Sequence, residues 1–318
     1  MLVDVHRHHM PDTTVAFLRG RRAWPYLEGG LDGGLDGGFV RCTAGYGYRL
    51  TPEMTDISGN VAEMTESGVD TAVLSTIVGV VDQLPGPESA ALARDVNDEM
   101  AALARTYPGR LVPMATLPLG DPRAAAEELR RALDLGLRGP IVPVTVAGRQ
   151  LHELALDPLF EVAEATGAPL SLHPTSPAFA EHFGDHALMT SLAFPVDTTA
   201  AVLRLLYAGV FARYPGLRVV VPHAGSLLPY LMGRIDREAG KYGVWHEPPS
   251  RTLRRLHVDA VSLWPPAIRL LLEVMGPERV MFGSDYPFWS TGENVTALAE
   301  ATADERVRAG TATDLFRL

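Results

Sequence analysis

Three histidines fall within four positions near the start of the chain: His6, His8 and His9 in "MLVDVHRHHMP". A β-strand repeats every two residues, so His6 and His8 should point to one side of a strand, with Asp4 below them. Two imidazoles on one face form a candidate metal pair. Three more polar residues close apolar runs. His173 ends the run in "PLSLHP" (169–174), His223 ends "LRVVVPH" (217–223) and Asp285 ends "RVMFGSD" (279–285). Ser171 and Gly283 stand two residues earlier and leave room beneath the polar groups.

Taken singly, a histidine after a strand is ordinarily a hydrogen-bonded core or surface residue, and Asp285 alone could cap a helix or open the turn at "DYP". Their joint choice of strand ends is what counts. His6, His8, His173 and Asp285 offer three imidazoles and one carboxylate, a donor set for one divalent first-row ion, Zn²⁺ foremost and Mn²⁺ second. One coordination position then stays open for water, and His223 stands beside it as general acid or base. Asp285 is the second acid–base candidate. His152, His182, His186 and His246 fall in helices or loops and are expected at the surface. His9 is expected to face away from the pair. His257, near the start of its run, suits a buried hydrogen bond, and Asp259 suits the pocket rim.

The elements that must position these residues recur. Eight short runs rich in Val, Ile and Leu are expected as strands: 2–6, 71–76, 111–117, 139–145, 169–174, 217–223, 256–261 and 279–285. Helical patterns lie between them, at 87–109, 121–136, 156–167 and 199–216, with proline or aspartate at starts and glycine at ends. Strand–helix alternation through eight units predicts an α/β fold, a (β/α)8 TIM barrel, whose catalytic face is the C-terminal end of the strands. A doubly wound open sheet is disfavoured, since no Gly-rich phosphate loop follows the first strand. Residues 9–60 form an insertion after strand one, a candidate lid over the active site. It contains the glycine-rich "GGLDGGLDGG" (29–38), expected as a flexible loop. Trp24, Tyr26, Phe39, Tyr46 and Tyr48 in the insertion are candidates for substrate contact.

At 318 residues the chain suits one barrel domain spanning 1–318. A net charge of −10 argues against nucleic acid or an anionic membrane as partner, but not against a small acidic substrate. Cys42 is the sole cysteine, so no intrachain disulfide can form and a reducing, cytoplasmic setting is expected. The N-terminal stretch carries charge and does not read as a signal peptide, and no apolar run is long enough to span a bilayer.

These residues resemble the amidohydrolase superfamily, which shares a strand-one His-x-His, a strand-five His, a strand-six His and a strand-eight Asp. The closer resemblance is to the amidohydrolase 2 branch that contains α-amino-β-carboxymuconate-ε-semialdehyde decarboxylase. "VDVHRHHMP", "VAEMTESGVDTAVLST", "GAPLSLHP", "AGVFARYPGLRVVVPHAGSLLPYLMGRID" and "RVMFGSDYPF" carry it across most of the chain. The resemblance implies metal ligands at His6, His8, His173 and Asp285 and a catalytic histidine at His223. It also implies a homodimer. Many superfamily members bridge two metals with a carboxylated lysine on strand four. Here the only lysine is Lys241, outside that strand, so one metal is expected.

The branch includes decarboxylases of aromatic and enoic acids, a hydratase and carbon–carbon hydrolases. The leading expectation is nonoxidative decarboxylation of an unsaturated or aromatic carboxylic acid, with Arg41, Arg49 and Trp289 as substrate-binding candidates. The alternative is hydrolysis or hydration by a metal-activated water, on an amide, lactone or C–C bond. A barrel that keeps metal only for stability is a third possibility. It is disfavoured because a structural zinc site is closed by four ligands and needs no further group such as His223.

Overall fold

The computed structural model describes residues 1–29, 38–177, 179–241 and 247–318. Most of the glycine-rich stretch, and His246, lie outside the described residues. The described residues contain thirteen strands: β1 (Val3–His9), β2 (Tyr26–Glu28), β3 (Phe39–Thr43), β4 (Tyr46–Arg49), β5 (Thr71–Thr76), β6 (Leu111–Pro113), β7 (Ile141–Pro143), β8 (Thr145–Val146), β9 (Arg149–Gln150), β10 (Leu170–His173), β11 (Val219–Val221), β12 (His257–Asp259) and β13 (Val280–Met281). Parallel pairing runs β1–β5–β6 and β7–β10–β11–β12–β13. Bridges between Ala115 and Pro140 and between Arg7 and Tyr286 join the two arcs at both seams. Eight parallel strands therefore close into the expected barrel.

Helices cover the outside, and their ends follow the punctuation of the sequence. Pro122–Asp134 starts at Asp121, whose side chain accepts from the amides of Arg123 and Ala124. Asp157–Thr166 ends at Gly167, which takes the left-handed conformation at φ 69°. The stretch expected as one helix over 199–216 is two, Phe194–Tyr207 and Val210–Arg213, because Gly209 turns left-handed at φ 73° between them. Apart from β1 and β5, the barrel strands are also shorter than the apolar runs. Beyond the last paired residue the chain turns to deliver polar groups to the top of the barrel.

The barrel floor is apolar. Val3, Val5, Val73, Met114, Val220 and Met281 pack inside it against Ala312, Leu315 and Phe316 of the C-terminal helix. Each such aliphatic burial contributes about 1.5–3 kcal/mol. β1 carries an extra residue here: Asp4 pairs with Ala72 but Arg7 pairs with Leu74. This bulge reverses the alternation of the strand. Asp4 therefore does not lie below His6 and His8, as strict alternation predicts. It points outward to Ser284, whose Oγ donates to Asp4 at 2.6 Å, and to Arg7 at 3.4 Å.

Between β1 and β5 lie the helix Asp12–Arg19 and an antiparallel sheet ordered β2–β3–β4. Gly47 sits where a Cβ would meet the Val40 carbonyl oxygen at 2.4 Å and the Phe39 ring at 2.6 Å, which pins the β3–β4 register.

Candidate metal centre

Three strand ends deliver the polar cluster. His6 and His8 come from β1, His173 from the end of β10, and Asp285 from the turn after β13, where its amide donates to the His6 carbonyl at 2.7 Å. Their ligand atoms all lie within 4.8 Å of one another, and all four residues are buried. The outward ring nitrogens are engaged. His6 Nδ1 lies 2.6 Å from Asp259 Oδ2, His8 Nδ1 2.9 Å from Ser75 Oγ, and His173 Nδ1 2.7 Å from the Pro174 carbonyl. These contacts orient the rings, so that Nε2 of each faces inward. His6 Nε2 and His8 Nε2 stand 3.1 Å apart, and His8 Nε2 is 3.1 Å from Asp285 Oδ1. His173 Nε2 is buried with no hydrogen-bond partner. Three converging Nε2 atoms, that of His173 without a partner, beside a carboxylate fit a divalent cation.

The electrostatics agree. Burial opposes charge on His6, yet Asp285 and Asp259 push its pKa up to about 9. Burial and the neighbouring imidazoles hold His173 well below the usual histidine range. Burial also opposes charge on Asp285, but His6, His223 and His8 outweigh it and keep the carboxylate ionised. His223 approaches from the other side. Its Nε2 is 3.4 Å from Asp285 Oδ2, and its Nδ1 is buried without a partner. Its backbone is left-handed at φ 55°, followed by Ala224 at φ 54°, and Asp285 is left-handed at φ 59°. Non-glycine residues held in that region carry strain, which the surrounding fold must overcome.

A cavity of about 500 Å³ opens over the cluster. His8, His173, His223 and Asp285 line it, and its walls include Tyr46, Tyr48, Phe194, Phe288 and Trp289. Of the candidate contacts, Tyr46, Tyr48 and Trp289 are therefore at the cavity, whereas Trp24, Tyr26 and Phe39 are not among its lining residues. Neither is Arg41 or Arg49, contrary to expectation. Strand alternation is the reason. On β3, Val40 and Cys42 are buried, and Arg41 faces the other way, 2.6 Å from Glu28 and stacked on Phe39 at 4.4 Å. On β4, Tyr46 and Tyr48 share one side and Arg49, exposed, takes the other.

Residues 3–318 match the family described as Amidohydrolase. The chain belongs to the amidohydrolase family. It is 35% identical over 263 residues to gamma-resorcylate decarboxylase of Rhodococcus jostii, covering 74% of this chain and 78% of that one. It is 28% identical over 307 residues to 2-amino-3-carboxymuconate-6-semialdehyde decarboxylase of Dictyostelium discoideum, covering 90% and 81%. Among solved structures it resembles 5-carboxyvanillate decarboxylase of Novosphingobium aromaticivorans, crystallised with manganese and 3-methoxy-4-hydroxy-5-nitrobenzoic acid. The TM-score is 0.83, with 25% identity, covering 100% of this chain and 97% of that one.

For this amidohydrolase, several residues that support the centre escaped sequence reasoning. Asp259 is not a rim residue but the buried partner of His6. Its other oxygen accepts from the amides of Ala224 and Val261, each at 3.0 Å, which ties the His6 ring to the turn carrying His223. Arg7 is fully buried on the outer side of β1, bonded to Asn60 Oδ1 at 2.6 Å, to Glu63 at 2.5 Å and over the Tyr286 ring at 4.0 Å. It locks β1 to the segment carrying Asp285. The sequence around His6 and Arg7 gave no sign of these partners, because each lies far away in the chain. His152, His182 and His186 are exposed, as expected.

Proposed function

We propose that this enzyme is a metal-dependent carboxy-lyase that decarboxylates an aromatic carboxylic acid without an oxidant. The observation that carries the proposal is the converging His6, His8, His173 and Asp285 cluster on the floor of an aromatic-walled cavity. The relatives named above, all decarboxylases, support it. We assign these four residues as ligands of one divalent ion, zinc or manganese. When bound, the ion supplies a fixed positive charge that orients the substrate carboxylate and stabilises developing negative charge.

The chain's own groups do the rest. The aromatic walls exclude water and hold the ring flat over the floor. The bond from ring carbon to carboxyl carbon breaks, and its electron pair stays on the ring carbon. We assign His223 to deliver the proton that this carbon gains, with Asp285 Oδ2 steadying the imidazole from 3.4 Å. Asp285 is the second group assigned to that proton movement. We read residues 9–60 as the cover of the site within a single domain spanning 1–318. Tyr46, Gly47 and Tyr48 of that segment line the cavity. The homodimer rests on the family resemblance. The cytoplasmic location rests on Cys42, an unpaired, buried thiol suited to a reducing compartment. Among the described residues no helix is long and apolar enough to cross a membrane.

Incubating the manganese-loaded enzyme with hydroxybenzoic acids in D₂O tests the reading. CO₂ release with one deuterium on the former carboxyl-bearing carbon is expected. A retained carboxylate with ¹⁸O taken up from labelled water would select hydrolysis or hydration instead.

A further inference from the structure

The end of the barrel opposite the metal centre gathers positive charge. Arg218 stands directly before β11, His257 opens β12 and Arg279 stands directly before β13. The parallel register sets Val220 beside His257 and Val258 beside Val280, so the three residues meet at the N-terminal ends of adjacent strands. With Arg255 they line a cavity of about 150 Å³, walled by Phe211, Tyr214 and Thr252. Among the described residues its lining contains no aspartate or glutamate. Three arginines sharing one cavity without an acid run against the composition of a chain whose net charge is −10.

None of these guanidiniums has a carboxylate partner among the described residues. Arg218 is half-buried, and its side chain makes no hydrogen bond there either. Arg255 donates to the Pro215 carbonyl, and Arg279 donates to His257 Nε2 at 3.2 Å. A guanidinium only donates, so the proton of the neutral ring sits on Nδ1, which is buried with no partner. Burial, Arg279 and Arg218 keep that ring neutral, pushing it down to about 4. The carboxylates that touch the neighbouring turn are engaged elsewhere. Asp157 pairs with Arg213 and accepts from Tyr214, and Glu164 accepts from the Gly216 amide at 2.6 Å. Like charges held together in a cleft are costly, and an oxyanion offsets them. A second cavity of about 350 Å³ adjoins the first and shares Arg218, His257 and Arg279. Its further lining differs in charge. Arg306 is paired with Asp304 at 2.8 Å, while Glu278 and Asp314 are exposed carboxylates.

We propose that the smaller cavity binds a phosphate group and that the adjoining one takes the hydroxyl-bearing body of a phosphate monoester. The tetrahedral dianion offers acceptors to the planar forks of Arg218, Arg255 and Arg279, a match that guanidinium makes bidentately. Glu278 and Asp314 repel a second anionic group and accept from hydroxyls instead. The site is distinct from the catalytic cavity, with which it shares no lining residue.

Titration calorimetry on the full-length, manganese-loaded protein tests this with ribose 5-phosphate, inorganic phosphate and ribose. Ribose 5-phosphate should bind about tenfold more tightly than inorganic phosphate, and ribose alone should give no heat. Arg218→Gln should weaken ribose 5-phosphate by about 10–100-fold, the loss of a charge-assisted contact, and Arg255→Gln by about tenfold. Thermal melts matching the parent's show that each variant is folded; if Arg218→Gln melts lower, the exposed Arg255→Gln decides alone. No binding of either phosphate overturns the site. Affinity within about twofold of the parent in the folded variants also overturns it, because the anion then sits elsewhere, as on the metal ion. Equal affinity for the two phosphates keeps the anion cavity and overturns the place given to the ester body.

Discussion

Asp259→Asn is the most informative perturbation of the metal centre, because it changes one buried group that touches no expected substrate atom. Asp259 Oδ2 lies 2.6 Å from His6 Nδ1, while Oδ1 accepts two backbone amides at 3.0 Å each. The carboxylate serves both sides as an acceptor. An amide of the same size has one oxygen. If that oxygen keeps the Ala224 and Val261 amides, its NH₂ meets the protonated Nδ1 of His6. The ring must then turn, or move its proton to Nε2 and lose the lone pair aimed at the ion. The variant also removes a negative charge beside a cation. Loss of such an orienting partner costs about 10–100-fold in metal affinity, or about 1.4–2.8 kcal/mol. Competition between the apoprotein and a chelator of known affinity, read with Mn²⁺, measures it. Ser75→Ala is the control. It removes a neutral hydroxyl 2.9 Å from His8 Nδ1 and should cost less than about tenfold. Metal affinity of Asp259→Asn within about twofold of the parent would refute the claim that Asp259 sets the His6 tautomer.

Elemental analysis of the active protein should find one metal ion per chain; a ratio near two would refute the single-ion site, for which the only lysine, Lys241, on an outer helix, offers no bridge. His223→Asn should retain metal and fold but lose about 10²–10⁴ in kcat, and an unchanged kcat would remove His223 from proton delivery. Calorimetric metal uptake should release protons, because the His6 pKa, raised to about 9 without an ion, leaves a proton to be displaced; identical heats in buffers of different ionisation enthalpy would refute this. His257, whose Nε2 accepts from Arg279 at 3.2 Å, is pushed down to about 4 by burial, Arg279 and Arg218. The unfolded chain binds that proton near pH 6.5, so the contribution to stability is complete above about 6.5 and is lost as pH falls to about 4. The span is about 3 kcal/mol, and His257→Gln should flatten the melting temperature over that window; an equally steep fall in the variant would refute it.

Much of the barrel and its site was legible because local order carries it. Eight apolar runs alternating with capped helical patterns specify strands and helices through short-range chemistry, and the pairs Ser171–His173 and Gly283–Asp285 mark strand ends by spacing alone. His6, His8, His173, His223 and Asp285 could be picked out as a group because polar residues closing buried runs have few places to go. The rest depends on closure. A bulge that no local pattern announces turned Asp4 outward and kept both histidines inward. Strand parity in the β2–β3–β4 sheet sent Arg41 and Arg49 away from the cavity and Tyr46 and Tyr48 into it, and parity depends on register, which only pairing sets. The partners of His6 and Arg7 lie 253 and 53 positions along the chain. The types and spacing of residues thus determined which ligands exist and on which ends of which strands. Only the closed barrel decided which hydrogen bonds aim them and which side chains face the substrate, because those contacts join residues that are neighbours in space alone.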